Sequence, residues 1–522
     1  MNYADLFRFT APETALELAA LLVLVVDLGV LRKASLNVRV TVAALLGVAG
    51  CGVALCAMGF QYGFGLYVDE SLVLATGHGV TIAQAGILVL TALTLLLLIG
   101  SDFTRHVGEY VAVVLMAASG GLLVASARDL LVIFVGLELL SLSLYIMTAF
   151  AKSSGKSAEA ALKYYLFGGM SAAFLLFGFS YLYGLSGTTD LYWMQYYIGE
   201  AGPSPLLYVA WIFIVVGLGF KIAVVPFHLW APDTYEGAPA SAAAFIASVS
   251  KVASFALLLT ISGNLLMPGG VSGQKDVVER LLHNEYLTWQ SLAMIFLIVA
   301  AASMIVGNLA ALAQVSVRRL LAYSAIAHAG YILLGVATLR IYSGQGSPFQ
   351  FLLSTIGPAI RSSNAVLFYV LTYGLTTIGA FGVVSVVERA TGSDKLDAFL
   401  GLHKRNPLLA TVLLVLFLSL AGIPPLVGFW AKFNLFAAVL GVSAGPVPFT
   451  LVSLAVAMSA VSLYYYLQVL KRAYVMPAVD ESPIKAHPVT LAVLVLIATT
   501  VVVLGCFPAL LQNWIASFYP AL

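Results

Sequence analysis

A lysine at position 221 stands near the end of a long apolar run, and a proline follows it five residues later. The stretch reads Gly219-Phe220-Lys221-Ile222-Ala223-Val224-Val225-Pro226-Phe227-His228. An ammonium group in hydrocarbon costs about 3 kcal/mol or more, so a lysine there is kept for a task. The proline frees backbone groups that neighbouring helices or water must satisfy, which points to a polar interior. Lys251, in Ser248-Val249-Ser250-Lys251-Val252-Ala253-Ser254, and Lys432, soon after Pro424 and Pro425, repeat the anomaly. Glu138, in Gly136-Leu137-Glu138-Leu139-Leu140-Ser141, adds a carboxylate, and His328 adds an imidazole. Lys163 and His228 are weaker candidates. Glu159, four residues before Lys163, allows an ordinary helix-surface ion pair, and His228 reaches the same line only if its helix continues past Pro226. Asp233 and Glu236 read more simply as acids in a first helical turn. Titratable groups strung through apolar segments are what proton transfer across a membrane needs.

The elements that must hold these groups are long and apolar. Of 522 residues, 61% are hydrophobic and 9% charged, against about 25% charged in a soluble domain, so the chain is dissolved in lipid. A net charge of +2 gives no reason to expect nucleic acid. Cys51, Cys56 and Cys506 sit in apolar segments and read as small core residues. No basic region precedes the first apolar run, so a cleaved signal peptide is not expected.

Segments of about 20 apolar residues span a bilayer. They fall near 12–31, 38–60, 80–100, 109–127, 129–151, 160–185, 206–227, 239–265, 288–312, 318–339, 362–387, 408–440, 448–470 and 489–516. The expected fold is therefore a single all-α polytopic membrane domain over 1–522 with about 14 transmembrane helices. With the N-terminus outside, fifteen Lys and Arg residues fall in cytoplasmic loops and six in outer ones, which places both termini outward. Span 7 carries Lys221 before Pro226, and span 12 carries Lys432 after its proline pair. Broken spans five helices apart suggest an inverted five-helix repeat, spans 4–8 (109–265) and 9–13 (288–470). Spans 1–3 (12–108) precede it and span 14 (489–516) follows; the long 341–361 link reads as an outer-surface insertion.

Several apparent motifs fail. Gly155-Lys156-Ser157 resembles the end of a phosphate-binding loop, but Phe150 stands where the first glycine belongs and no strand precedes it. Nothing in the sequence matches a zinc-protease helix, a paired CxxC or a dinucleotide fingerprint, so no cofactor or metal is expected in this chain.

Three stretches carry a family resemblance: Lys221 through Pro239, with its tail Asp233-Thr234-Tyr235-Glu236-Gly237-Ala238-Pro239; Arg319-Leu320-Leu321-Ala322-Tyr323-Ser324-Ala325-Ile326-Ala327-His328; and Gly422-Ile423-Pro424-Pro425-Leu426-Val427-Gly428-Phe429-Trp430-Ala431-Lys432-Phe433. Nearly the whole chain resembles the antiporter-like subunits of respiratory complex I, most closely the subunit N branch. A lysine at 432 fits that branch better than subunit M, where an acid stands. The resemblance implies a proton-translocating subunit of NADH:quinone oxidoreductase in the bacterial plasma membrane. Glu138, Lys221, Lys251 and Lys432 would form its central axis, with Lys163, His228 and His328 in support. NADH, FMN, iron–sulfur clusters and quinone would be used in other subunits. Its partners would be the other membrane-arm subunits, lipid and, indirectly, the peripheral redox arm. Protons would come from the cytoplasm past Lys163 or His228, pass Lys221 and Lys251, and leave by His328 and Lys432, with the Glu138–Lys221 pairing as the switch. The alternatives are a subunit of a multisubunit cation/proton exchanger and a purely structural membrane subunit.

Overall fold

The computed structural model describes residues 9–63, 74, 78–264, 275–337, 348–442, 446–478 and 480–517. Among these the chain is all-α, with three isolated β-bridges and no strand. In order, the helices are α1 (Ala11–Val25, continued by a π-helical turn, Val26–Val30), α2 (Leu36–Gly63), α3 (His78–Leu98), α4 (Val107–Ser126), α5 (Leu130–Thr148), α6 (Gly155–Ser186), α7 (Leu191–Ala201), α8 (Pro205–Ile222), α9 (Trp230–Gly237) and α10 (Ala240–Ala247). They continue with α11 (Val249–Asn264), α12 (Lys275–Leu312), α13 (Val317–Ala337), α14 (Pro348–Thr391), α15 (Leu402–Arg405), α16 (Pro407–Ala421), α17 (Val427–Val442), α18 (Pro446–Tyr474), α19 (Pro488–Cys506) and α20 (Ala509–Ser517).

Twelve helical stretches among the described residues are long and apolar enough to cross a membrane, and α16 and α17 are shorter apolar pieces. Polar residues set the starts. Asp129 accepts from the Leu131 and Val132 amides at the head of α5, Ser204 caps α8 ahead of Pro205, and Asn406 caps α16 ahead of Pro407. Helix α8 ends with Ala223 at φ 58°, and α16 ends with Gly422 at φ 89°. Both turn into the left-handed region just ahead of prolines that cannot continue the helix.

Small residues let the site-bearing helices close up. A Cβ on Gly120 of α4 would lie 2.6 Å from the Leu140 backbone of α5, and one on Gly307 of α12 would lie 2.6 Å from the Ala327 backbone of α13. The stretches 240–262, 317–337 and 361–391 are almost wholly buried, whereas 155–186 and 446–474 face outward. The centre is thus built from α10, α11, α13 and α14.

The structure differs from the sequence reading in five places. The expected span at 239–265 is two helices, because the chain turns at Ser248 (φ −118°, ψ −77°) and the Ser248 hydroxyl donates to the Ala244 carbonyl. The expected span at 489–516 breaks at Phe507-Pro508, leaving α20 as a separate short helix. An unforeseen amphipathic helix, α7, fills the link after α6. The 341–361 link is helical from Pro348 as the start of α14, and 341–347 lies outside the described residues. Of the cysteines only Cys51 is in the core; Cys56 and Cys506 lie on the outer surface of the bundle.

Candidate functional site

Lys221 occupies the last turn of α8, where the helix ends at Ile222, four residues before the proline. Its side chain is buried, and its Nζ donates to Ser141 Oγ at 2.5 Å. Glu138, one turn before Ser141 on α5, holds its Oε1 4.0 Å from the same ammonium. The Glu138 side chain is 27% exposed against 6% for Lys221, so the acid sits at the flank of the bundle and the base inside it.

Lys251 lies at the head of α11, 2% exposed, and donates to the Ala325 carbonyl of α13. Its ammonium stands 5.4 Å from the centre of the Tyr373 ring on α14. That ring lies 4.8 Å from the His328 imidazole, tilted by 33°. Tyr369, one turn earlier on α14, places its hydroxyl 2.9 Å from His328 Nδ1, and the Tyr466 hydroxyl is 3.5 Å from Nε2 and hydrogen-bonds Ser324. Tyr331 packs at right angles to His328 at 5.7 Å, and the Lys432 Nζ is 5.6 Å from the centre of the Tyr331 ring. Lys432 donates to the Leu420 and Ala421 carbonyls at 3.1 and 2.9 Å and to Ser459 Oγ at 2.8 Å. Those carbonyls are the open C-terminal end of α16, whose dipole favours a cation. One continuous buried run therefore joins Lys251, Tyr373, His328, Tyr331 and Lys432.

Four expected residues stand outside this run: Glu138 and Lys221 form a separate pair with Ser141, and Lys163 and His228 lie apart from both. Lys163 is at the surface, 2.7 Å from both Glu159 and Asp233. His228 is half-buried in the turn after the broken α8, where the helical register that would align it with Lys221 no longer exists.

The tyrosines were not singled out from the sequence. Their signal was the spacing: Tyr369 and Tyr373 are one turn apart, and Tyr331 is three residues after His328, but an aromatic stripe on a buried helix reads as ordinary core. The acids of α9 have more partners than a place in a first helical turn implies. Asp233 accepts from Arg319 at 2.7 Å as well as from Lys163, and Glu236 pairs with Arg319 at 3.0 Å and Lys156 at 3.3 Å. Burial pushes both carboxyls up, but the hydrogen bonds from these cations outweigh it and hold them below their ordinary values. In the N-terminal helices, Glu13 of α1 is buried, and Gln84 Nε2 donates to it at 3.4 Å.

Two cavities border α14 at opposite ends of its 361–391 stretch. One of about 670 Å³ is lined by Ser241, Arg318, Glu388 and Arg389 and reaches inward to Ala244 and Phe381. The other, of about 400 Å³, is lined by Arg361, Asn364, Phe368 and Asn434. Among the described residues no group of three or more His, Cys, Asp or Glu side chains is placed to hold a metal.

Interrupted helices closing over buried lysines mark an antiporter-like polytopic membrane subunit. The sequence pattern of the family described as NADH:quinone oxidoreductase/Mrp antiporter, transmembrane, matches residues 127–272 and 277–461. NADH-quinone oxidoreductase subunit N 2 of Acidobacterium capsulatum is 45% identical over 526 residues, 99% of each chain. A chain of respiratory complex I from Thermus thermophilus superimposes with a TM-score of 0.73 at 31% identity, covering 96% of this chain and 98% of that one. A chain of the Mrp complex from Dietzia sp. shares the fold, with a TM-score of 0.75 at 20% identity over 97% and 96% of the two chains. The chain belongs to the NADH-quinone oxidoreductase subunit N family.

Proposed function

We propose that this subunit moves protons across the bacterial plasma membrane through Glu138, Lys221, Lys251, His328 and Lys432, coupled to quinone reduction in other subunits of the complex. The observation that carries this reading is the unbroken buried run from Lys251 through Tyr373, His328 and Tyr331 to Lys432. Buried ion pairs rarely add stability, and this run is built from lysines without carboxylates. A structural role alone leaves it unexplained.

The Glu138–Lys221 pair is the switch. With the carboxylate close, Lys221 keeps its proton; when the pair separates, the proton can pass towards Lys251. Glu138 lies at the bundle flank, where a neighbouring membrane-arm subunit can bias it. Lys163, tied into two ion pairs, is a poor collector of protons. The 670 Å³ cavity is the better inlet because it approaches Lys251 along α10 and α14. The 400 Å³ cavity, beside Phe368 and Asn434, is the corresponding outlet. His228 contributes at most a polar contact near the α8 break.

The finer organisation follows the same reading. Residues 109–265 and 288–470 form inverted copies, flanked by 12–108 and 489–516. The matching left-handed ends of α8 and α16, each ahead of proline, support this. The excess of loop cations on one side supports outward-facing termini. NADH, FMN, iron–sulfur clusters and quinone belong to partner subunits, with lipid around the bundle. Flavin and iron–sulfur absorbance copurifying in mild detergent is expected; sodium transport with no redox donor would favour an exchanger instead.

The direct test is Lys221→Ala in the assembled complex. NADH-driven proton pumping into inverted membrane vesicles should be abolished. Normal pumping with full assembly would overturn the assignment.

A further inference from the structure

Arg318 is the second residue of α13 and only 4% exposed, and its side chain bonds to groups on other elements. Its Nη1 donates to both carboxylate oxygens of Glu388 on α14, at 3.2 and 3.3 Å. Its Nη2 donates to the Ala238 carbonyl, at the junction of α9 and α10. Its Nε is buried with no hydrogen-bond partner. A guanidinium buried with its Nε unpartnered is a poor device for stability, so its position calls for another explanation.

The three elements it joins are those that converge on the Lys251 site. Lys251 comes thirteen residues after Ala238, Ala325, which accepts from Lys251, comes seven after Arg318, and Tyr373 comes fifteen before Glu388. Other contacts do not duplicate this link. The start of α13 is joined to the segment after α14 by Val317 N–Asp394 O and Leu396 N–Val315 O, each 2.9 Å, and to α9 by Arg319 through Asp233 and Glu236. None of these ties includes the α10 junction and the Glu388 turn together. The planar fork of arginine can hold two acceptors in different directions, which an ammonium on a flexible stem does far less well.

We propose that Arg318 is a positioning residue for proton transfer at Lys251. It sets the spacing of α10–α11, α13 and α14 so that the Lys251 ammonium meets both the Ala325 carbonyl and the Tyr373 ring. Arg318, Glu388 and Ala238 also line the 670 Å³ cavity, so the clamp forms part of its wall. The inference rests on the reading that Lys251 carries protons.

The test compares Arg318→Met, Arg318→Lys, Glu388→Gln and Lys251→Ala in the complete complex. NADH-driven pumping in inverted vesicles is divided by the amount of assembled complex seen on native gels. A purely structural residue changes the amount assembled and leaves the quotient alone. Because the remaining ties hold α13, Arg318→Met should assemble, and its quotient should fall about tenfold or more, since displacement by about 1 Å costs up to about a hundredfold in a transfer step. Arg318→Lys should assemble normally with a quotient between those of Arg318→Met and the unaltered protein. Glu388→Gln should lower it in the same direction. An unchanged quotient in Arg318→Met, or in Arg318→Lys if the methionine variant does not assemble, overturns the proposal. An unchanged quotient in Lys251→Ala overturns instead the reading beneath it.

Discussion

The ring of Tyr373 stands between two titratable groups, 5.4 Å from the Lys251 ammonium and 4.8 Å from the His328 imidazole. In a desolvated site a cation over an aromatic face gains about 2 kcal/mol, enough to decide where Lys251 points. Replacing the ring with an aliphatic chain removes that preference. Tyr373→Leu should therefore reduce pumping per assembled complex about tenfold, while Tyr373→Phe stays within about twofold, since it keeps the ring. Equal loss in both variants would move the role from the ring to the hydroxyl. At this scale the charged residues and the pairs Glu138–Lys221 and Lys163–Glu159 were legible, and the aromatic neighbours were not. A lysine among leucines carries its own warning because its desolvation cost is fixed by residue type. Tyr331, Tyr369 and Tyr373 carry none, as a tyrosine is at home in any core and only the packing of α13 on α14 gives these a common neighbour. Lys163 was half legible. Its Glu159 at i−4 was visible, but its second partner, Asp233, lies 70 residues away.

The break between α16 and α17 depends on close contact between their backbones. A Cβ on Gly428 would lie 1.8 Å from the Ser419 carbonyl oxygen, and the Gly428 N–H donates to Ser419 Oγ at 3.2 Å. Gly428→Ala must push α17 away from α16, and Lys432 with it, off the Leu420 and Ala421 carbonyls. The expected cost is about 1–3 kcal/mol, as for other overpacked contacts. It should appear as a lower melting temperature of the complex together with weaker pumping; an unchanged melting temperature would mean that the two pieces separate freely. The breaks at Pro226 and Pro424-Pro425 could be read directly, because proline removes a donor and clashes with the preceding turn. The break at Ser248 could not. Serine tolerates a helix, and this turn is held by the Ser248 hydroxyl on the Ala244 carbonyl and by helices packed around it. The split at Pro508 had its proline in view, but the apolar run either side concealed it.

Across the whole molecule, α9 serves as a fastening, with Asp233 and Glu236 gripping Lys163, Lys156 and Arg319 from two other helices. Both carboxyls are held below their ordinary values of 3.8 and 4.5. A depressed carboxyl stabilises the fold fully above its unfolded value, and the benefit disappears as pH falls through the folded one. Asp233→Asn should thus melt earlier than the unaltered subunit at pH 7, and the gap should close as the pH drops below about 4. A gap that widens in acid would reverse the assignment. The lipid-embedded, all-helical architecture followed from composition and span length. The fastening did not, because it joins residues scattered over more than 150 positions. The central run has one more consequence, which concerns electrical work. Lys251 is the twelfth residue of the 23 in Ala240–Ser262, and His328 the twelfth of the 21 in Val317–Ala337. Each is within about one residue, or 1.5 Å of helix rise, of the middle of its span. A charge driven through 100 mV costs about 2.3 kcal/mol only when it advances along the membrane normal. On the proposed path, a step from Lys251 to His328 joins groups near the middles of two spans, so membrane voltage should bear mainly on the approaches at either end and little on the step between them.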